Sequence, residues 1–374
     1  HRPKDTQYFV FADTVAAKGY KSKKDCHGWI GVTFQAYPGA EPSQIYIHVR
    51  MLDNSNLQQQ EALGMLGVNL IYGAFELHRK PEALLDTLIE RLGSERIEVD
   101  YCHFGGAAYE DVDNRLMALY LVKSGLTRAI LFGDEGEVVL PAEALYKKHA
   151  LVSRGRFRPP TNVMMDMTKC AKEQFHRDME VDEAKTIYLA EITMAELMNE
   201  GEVDTSDFLT RIDLLIKLGY KVLISDYLRF FSLRAYLRRN STRQIGIVLG
   251  VPNILDIFNE DFYEGLEGGI LKACGLLFDD NTRLYVYPRL DLASGDVLHT
   301  KNLRVPDDLK LLYMYLLQNG FIVPVENADE SLQTIHSTEV WKRLKKGLTD
   351  WKDEVPELVY NEIVQKKLFG FDSL

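Results

Sequence analysis

The densest chemistry in this sequence is a run of arginines, Arg229, Arg234, Arg238, Arg239 and Arg243, that follows closely on Ser225 and Asp226. A hydroxyl, a carboxylate and a guanidinium in quick succession can hold an anion. The guanidinium forks onto phosphate or carboxylate oxygens, and a helix N-terminus beside it offers free N–H groups. Arg234 and Arg238 stand one helical turn apart and can grip an anionic group from one face. Plainer roles compete with this one: Asp226 as the cap of the following helix, and the arginines as a solvated face or as partners of the many acidic residues. The expectation is a ligand site of Ser225, Asp226, Arg229, Arg234, Arg238 and Arg243, with a small phosphorylated or otherwise anionic, nucleotide-like metabolite as its ligand. No Walker loop and no GxGxxG accompanies it; GIVLGVP and GLEGG have other spacings.

Two Cys-His dipeptides, Cys26-His27 and Cys102-His103, are the other candidates. Adjacent residues of a strand point to opposite faces, so neither pair can readily give both side chains to one metal, and no metal site is expected. One member of each can meet a partner across strands. After His103-Phe104, the glycines 105 and 106 would let backbone N–H groups approach an anion, with a plain turn as the alternative. No catalytic residue and no cofactor is assigned.

The elements that must position the arginines run from Asp207 to Gly250 as helix, strand, helix, strand. VLIS and IGIVLG are apolar without alternation, as strands covered on both faces of a parallel sheet are. In an open α/β sheet, ligands collect beyond the carboxyl ends of the strands. Those ends are Glu191 to Thr193, Ser225 with Asp226, Gly250 to Pro252, and Tyr287 with Pro288. TIYLAEIT and RLYVYP complete the set of strands. Residues 1–152 read differently, as an α+β domain: the strands YFVFA, GWIGVTF and QIYIHVRM form an antiparallel meander, Ser55 and Gln58 make a capping box, and the helix they open is apolar on nearly every side. Gly64 and Gly67 in that helix are expected where a neighbouring backbone comes close. PEALLDTLIERLG is an amphipathic helix, and RAILF–GDEG–EVVL a hairpin. SRGRFRPP, residues 153–160, is the expected linker, and 161–374 an α/β domain, mostly parallel and Rossmann-like, with a C-terminal helical tail.

A net charge of −11 argues against a general nucleic-acid binder. The four cysteines are scattered, with no CxxC, so a reduced, cytoplasmic setting is expected. No apolar run is long enough for a membrane span. The chain begins with His and enters a strand at once, so a longer parent chain is expected. As an alternative function, the helix at 61–75 and the C-terminal tail, with Trp341, Leu344, Leu348 and Trp351 on one helical face, would build a homo-oligomeric assembly or regulatory protein.

From FADTVAAKGY and CHGWIGVTF through MLDNSNLQQQEALGMLGVNLIYGAF, LFGDEGEVVLPAEALYKK, VLISDY, IGIVLGVP and LYVYP, the chain resembles an uncharacterised bacterial family. Members of that family are labelled inconsistently, as nicotinate-nucleotide adenylyltransferase or as TonB-dependent receptor. The first label implies a HxGH-type pair for a triphosphate, which this chain lacks; Asn240 to Arg243, NSTR, departs in spacing from the later SxTxxR element. The second implies many alternating barrel strands, and these are missing.

Overall fold

The computed structural model describes residues 3–15, 26–199, 202–291 and 294–372. The end of the FADTVAAKGY stretch, residues 16–20, and the final Ser373-Leu374 lie outside them. The chain divides into two compact units, residues 1–131 with 137–140, and residues 132–136 with 141–374.

In the first unit β1 (Phe9–Val15), β2 (Cys26–Gln35), β3 (Pro42–Met51) and β4 (Ile97–Gly106) form an antiparallel sheet in chain order. Short links between the first three strands leave no room for a crossover, so they pair antiparallel as expected. Period-two alternation aims Ile30, Val32 and Phe34 of β2 and Ile45, Ile47 and Val49 of β3 at one face, with Ile30 opposite Ile47 and Val32 opposite Ile45. That face is covered by α1 (Asn56–Glu76), α2 (Pro81–Thr87) and α3 (Asn114–Lys123), whose Leu66, Leu70, Leu84, Leu85 and Leu121 share the core. Full burial of each such side chain stabilises the fold by about 1.5–3 kcal/mol. The capping box forms: Gln58 N donates to Ser55 Oγ at 3.2 Å. Neither glycine expected at a neighbouring backbone meets one: Gly67 faces the Phe11 side-chain ring, where a Cβ would come within 2.9 Å, and Gly64 opens onto empty space.

β5 (Ala129–Phe132) and β6 (Val138–Val139) are the strands of RAILF and EVVL, and the division between the units falls within β5; α4 (Pro141–Ala144) follows. The second unit continues with β7 (His149–Arg154), α5 (Asn162–Asp178), β8 (Thr186–Thr193), α6 (Met194–Leu197), β9 (Met198–Asn199), β10 (Glu202–Val203), α7 (Thr205–Lys217), β11 (Lys221–Ser225), α8 (Phe230–Asn240) and β12 (Ile245–Gly250). Then come α9 (Val251–Ile257), α10 (Gly269–Leu277), β13 (Thr282–Tyr287), β14 (Arg289–Leu290), β15 (Val297–Leu298), α11 (Lys310–Gln318), β16 (Ile322–Pro324), α12 (Ser337–Lys345) and α13 (Glu357–Lys366). Six of its strands pair in the order β16-β13-β12-β7-β8-β11, and every pair is parallel. The fold is therefore α/β, and β11 and β12 are buried along nearly their whole length, as unalternated apolar runs should be.

One expectation of domain layout is corrected. Residues 153–160 do not link the units: β7, which ends at Arg154, is an inner strand of the parallel sheet, and the boundary lies earlier, at β5. The paired prolines, Pro159 and Pro160, stand just before α5, within the second unit. The C-terminal tail docks onto its own unit. Its Val340, Leu344, Trp351, Val355, Val359, Ile363, Phe369 and Phe371 are buried in one cluster with Leu214 of α7. Among the described residues no helix is long and apolar enough to cross a membrane.

Candidate functional site

The six residues expected to share a ligand are split between the two edges of the parallel sheet. Ser225 ends β11, and there its fully buried hydroxyl donates to Glu191 Oε1 at 2.6 Å. Glu191, itself fully buried, also accepts a two-pronged bond from Arg154, with Nε and Nη2 each at 2.8 Å. Arg154 further donates to the carbonyls of Tyr227 and Leu228 and lies over the Phe230 ring, 4.3 Å from its centroid. This network ties together the ends of β7, β8 and β11 and leaves Ser225 nothing to offer a ligand. Asp226 is exposed and is not the cap of α8; that position is taken by Arg229, which caps with no side-chain bond and donates to Glu264 O at 3.4 Å.

The other three arginines lie where α8 has run back to the amino edge. Arg234 and Arg238 converge on one carboxylate, Asp279, just before β13. Arg238 also donates to the carbonyl of Arg243 at 2.7 Å. Burial acts to raise the Asp279 carboxyl, but the Thr282 hydroxyl and the two guanidinium charges outweigh it and hold Asp279 below the ordinary carboxylate range. Arg234, Arg238 and Arg243 are thus placed apart from Ser225 and Asp226, and Arg234 and Arg238 are tied to an acidic neighbour.

The geometry that can hold a ligand lies elsewhere on the carboxyl edge. From β7 the chain steps outward through β8 to β11, then returns along α8 to β12 on the other side of β7, and continues outward to β13 and β16. The order therefore reverses between β7 and β12, the kind of place where ligands collect in an open α/β sheet. A cleft of about 320 Å³ opens there, lined by Ser153 to Phe157, Pro159 to Thr161, Gly250 to Pro252, Tyr287 to Arg289, and Gln333 with Ile335 to Thr338, among others. No Asp or Glu is among its lining residues, whereas Arg154, Arg156 and Arg289 are. Arg154 is saturated as described, and Arg156 pairs with Glu196 at the surface, its side chain 62% exposed.

Two helices begin on this cleft without a side-chain cap, α5 after Thr161 and α12 after His336. The first N–H groups of such helices have no partner within the helix and carry the positive end of its dipole. Ser153, Thr161 and Gln333 are 3%, 3% and 5% exposed, yet their side chains bond to no other described residue. His336 keeps one buried nitrogen, Nε2, without a partner. Ser153, Thr161 and Gln333 line the cleft and are open to it, so it gathers hydrogen-bonding groups that the chain itself does not use. Behind its wall the Tyr287 hydroxyl donates to Asp166 Oδ2 at 2.5 Å, and burial followed by that carboxylate pushes the phenol far above its ordinary range.

Gly250 to Pro252 and Tyr287-Pro288 were legible as strand ends. Ser153, Thr161 and Gln333 were missed. The usable signal was the abrupt end of HALVS in basic residues and prolines, which marks the end of a first strand as well as it marks a linker.

The Cys-His dipeptides behave as alternation requires. Cys26 and Cys102 are buried in the core, while His27 Nδ1 meets His48 Nε2 at 3.0 Å and His48 Nδ1 meets Asp100 Oδ1 at 2.6 Å. No cluster of metal-binding side chains occurs among the described residues.

No protein-family model matches the chain, and no curated protein matches it. Among solved structures, a Plasmodium falciparum nicotinic acid mononucleotide adenylyltransferase complexed with APC overlaps 60% of this chain and 98% of its own, at 14% identity and a TM-score of 0.36. MenC from Desulfotalea psychrophila LSv54 overlaps 92% of each chain at 12% identity and a TM-score of 0.16. Overlaps this weak do not establish a shared fold.

Proposed function

We propose that the second unit binds a small phosphorylated, nucleotide-like metabolite in the cleft between β7 and β12. One observation carries the reading: in a chain of net charge −11, the cleft at the point where strand order reverses is lined by Arg289, by two further arginines that already have acidic partners, and by no carboxylate. Two uncapped helix N-termini add to the same sign of potential. Among the described residues Arg289 makes no ion pair, so it is the cation that meets the anion directly.

Calorimetric titration with inorganic pyrophosphate and with ADP tests this. Both are expected to bind, and Arg289→Ala to weaken both about tenfold, the worth of one charge-assisted hydrogen bond. At a hundredfold excess over Kd the ligand should add about 2.7 kcal/mol to stability. Absence of binding at millimolar ligand and low salt, or indifference to Arg289→Ala, would overturn the reading.

A second reading, a homo-oligomeric assembly through α1, is favoured by one feature: Leu57, Val68 and Tyr72 are more than half exposed along that helix, and Gly64 between them faces open space. Light scattering decides it. A particle that stays monomeric at all concentrations excludes it.

A further inference from the structure

We infer that Gln333 is the specificity-determining residue of this cleft, and that the ligand joins to its anionic group a flat ring with a hydrogen-bond donor and acceptor side by side, as on the edge of adenine. The inference rests on the cleft being an anion site.

Four glutamines are buried in the described structure, Gln35, Gln59, Gln174 and Gln333. Three are used by the chain itself. Gln35 donates to Ala40 O at 2.9 Å and Gln59 to Asp53 O at 2.7 Å. Gln174, at 4% exposure the nearest counterpart of Gln333, both donates to Pro324 O at 3.1 Å and accepts from Glu326 N at 3.0 Å. Gln333, at 5% exposure, does neither, and it lines the cleft. Its amide is not sealed from the cleft, so it stays open to a hydrogen-bonding partner from outside the chain.

The surroundings narrow what that is. Phe157, Met164 and Met167 give the cleft an apolar wall, while Arg289 and the first turns of α5 and α12 give it a cationic zone. A bare phosphate would use the second and leave both the wall and the amide idle. A ring joined to a phosphate uses all of them: its face lies on Phe157 and the methionines, and its edge meets the amide. A glutamine offers one donor and one acceptor in a plane, the complement of the amino group and adjacent ring nitrogen of adenine.

The test separates this inference from the anion reading beneath it. Affinities for pyrophosphate and for ADP are measured with the wild-type chain and with Gln333→Leu and Gln333→Glu, each variant first checked by thermal melting. Leucine keeps bulk and removes both bonding groups, and glutamate keeps an acceptor and removes the donor. The expected result is a loss of about tenfold or more for ADP in both variants, with pyrophosphate within twofold of wild type in Gln333→Leu and weakened in Gln333→Glu by the added negative charge. Unchanged ADP affinity in either folded variant, or an equal loss for both ligands in Gln333→Leu, would overturn the role of Gln333 while leaving the anion site standing. Failure of the wild-type chain to bind pyrophosphate and ADP would overturn both.

Discussion

The cleft at the carboxyl edge of the parallel sheet and the arginine group at its amino edge are both rich in guanidinium groups, and they differ in what surrounds those groups. At the amino edge Arg234 and Arg238 share Asp279, Arg234 reaches Thr282, and Arg238 reaches the carbonyls of Asn281 and Arg243. In the cleft the buried Ser153, Thr161 and Gln333 bond to no described residue, and Arg289 meets no acid. Density of charge therefore does not mark a ligand site, since a guanidinium that has found its carboxylate has little left to give. Uncharged side chains that line a cleft and make no bond to the chain mark it better, because they remain open to a ligand.

The strongest way to break this comparison is to undo the one saturated network that borders the cleft. Glu191→Ala leaves the Arg154 guanidinium, whose side chain is 9% exposed, without its anion. A buried charge stripped of its partner costs about 3–5 kcal/mol, so the midpoint of urea unfolding should fall sharply. A loss below about 1 kcal/mol, the range of exposed pairs, would mean that Arg154 is solvated and available to a ligand.

Next in size is a contrast between two arginines. Arg289→Ala should weaken pyrophosphate binding about tenfold with little change in stability. Arg234→Ala should do the reverse, leaving binding within twofold while lowering stability by about 1 kcal/mol, as a partly exposed ion pair warrants. If Arg234→Ala weakens binding as much as Arg289→Ala does, the two regions act as one site and the division drawn between them fails.

What could be read ahead of the structure follows the range of the interaction concerned. VLIS and IGIVLG announce buried parallel strands because burial on both faces is written into consecutive residues, and Ser55 with Gln58 announces a helix start within one turn. HALVSR escaped because a six-residue strand running into arginines and prolines has the local chemistry of a linker. For the arginines of α8 pairing with an acid was one of two open roles, and the partner itself could not be named, since Asp279 lies 45 residues beyond Arg234. Gln333 gave no local sign. It stands in a short 3-10 turn among polar residues, and only its surroundings distinguish it from Gln174, whose partners come from the strand 150 residues away.

The smallest expected effect is a titration at the amino edge. The Asp279 carboxyl is held below the ordinary carboxylate range, so its folded-state pKa lies below its unfolded one. Its contribution is therefore present above about pH 4, where the unfolded chain's carboxylate is ionised, and is lost as the pH falls through the lowered folded value. Asp279→Asn removes that arm. The variant should be slightly less stable than wild type near pH 7, and its stability should decline less steeply below pH 4, with the two curves converging in acid. Asp279 is about one-third exposed, so solvent screening keeps the difference small. Cleft binding should not change, because no part of the Asp279 cluster lines the cleft. Urea titrations from pH 2 to pH 7 measure the first expectation, and calorimetry with pyrophosphate the second. A steeper acid limb in the variant would show that the guanidinium charges do not dominate the Asp279 environment, and a change in pyrophosphate affinity beyond twofold would return the α8 arginines to the binding site.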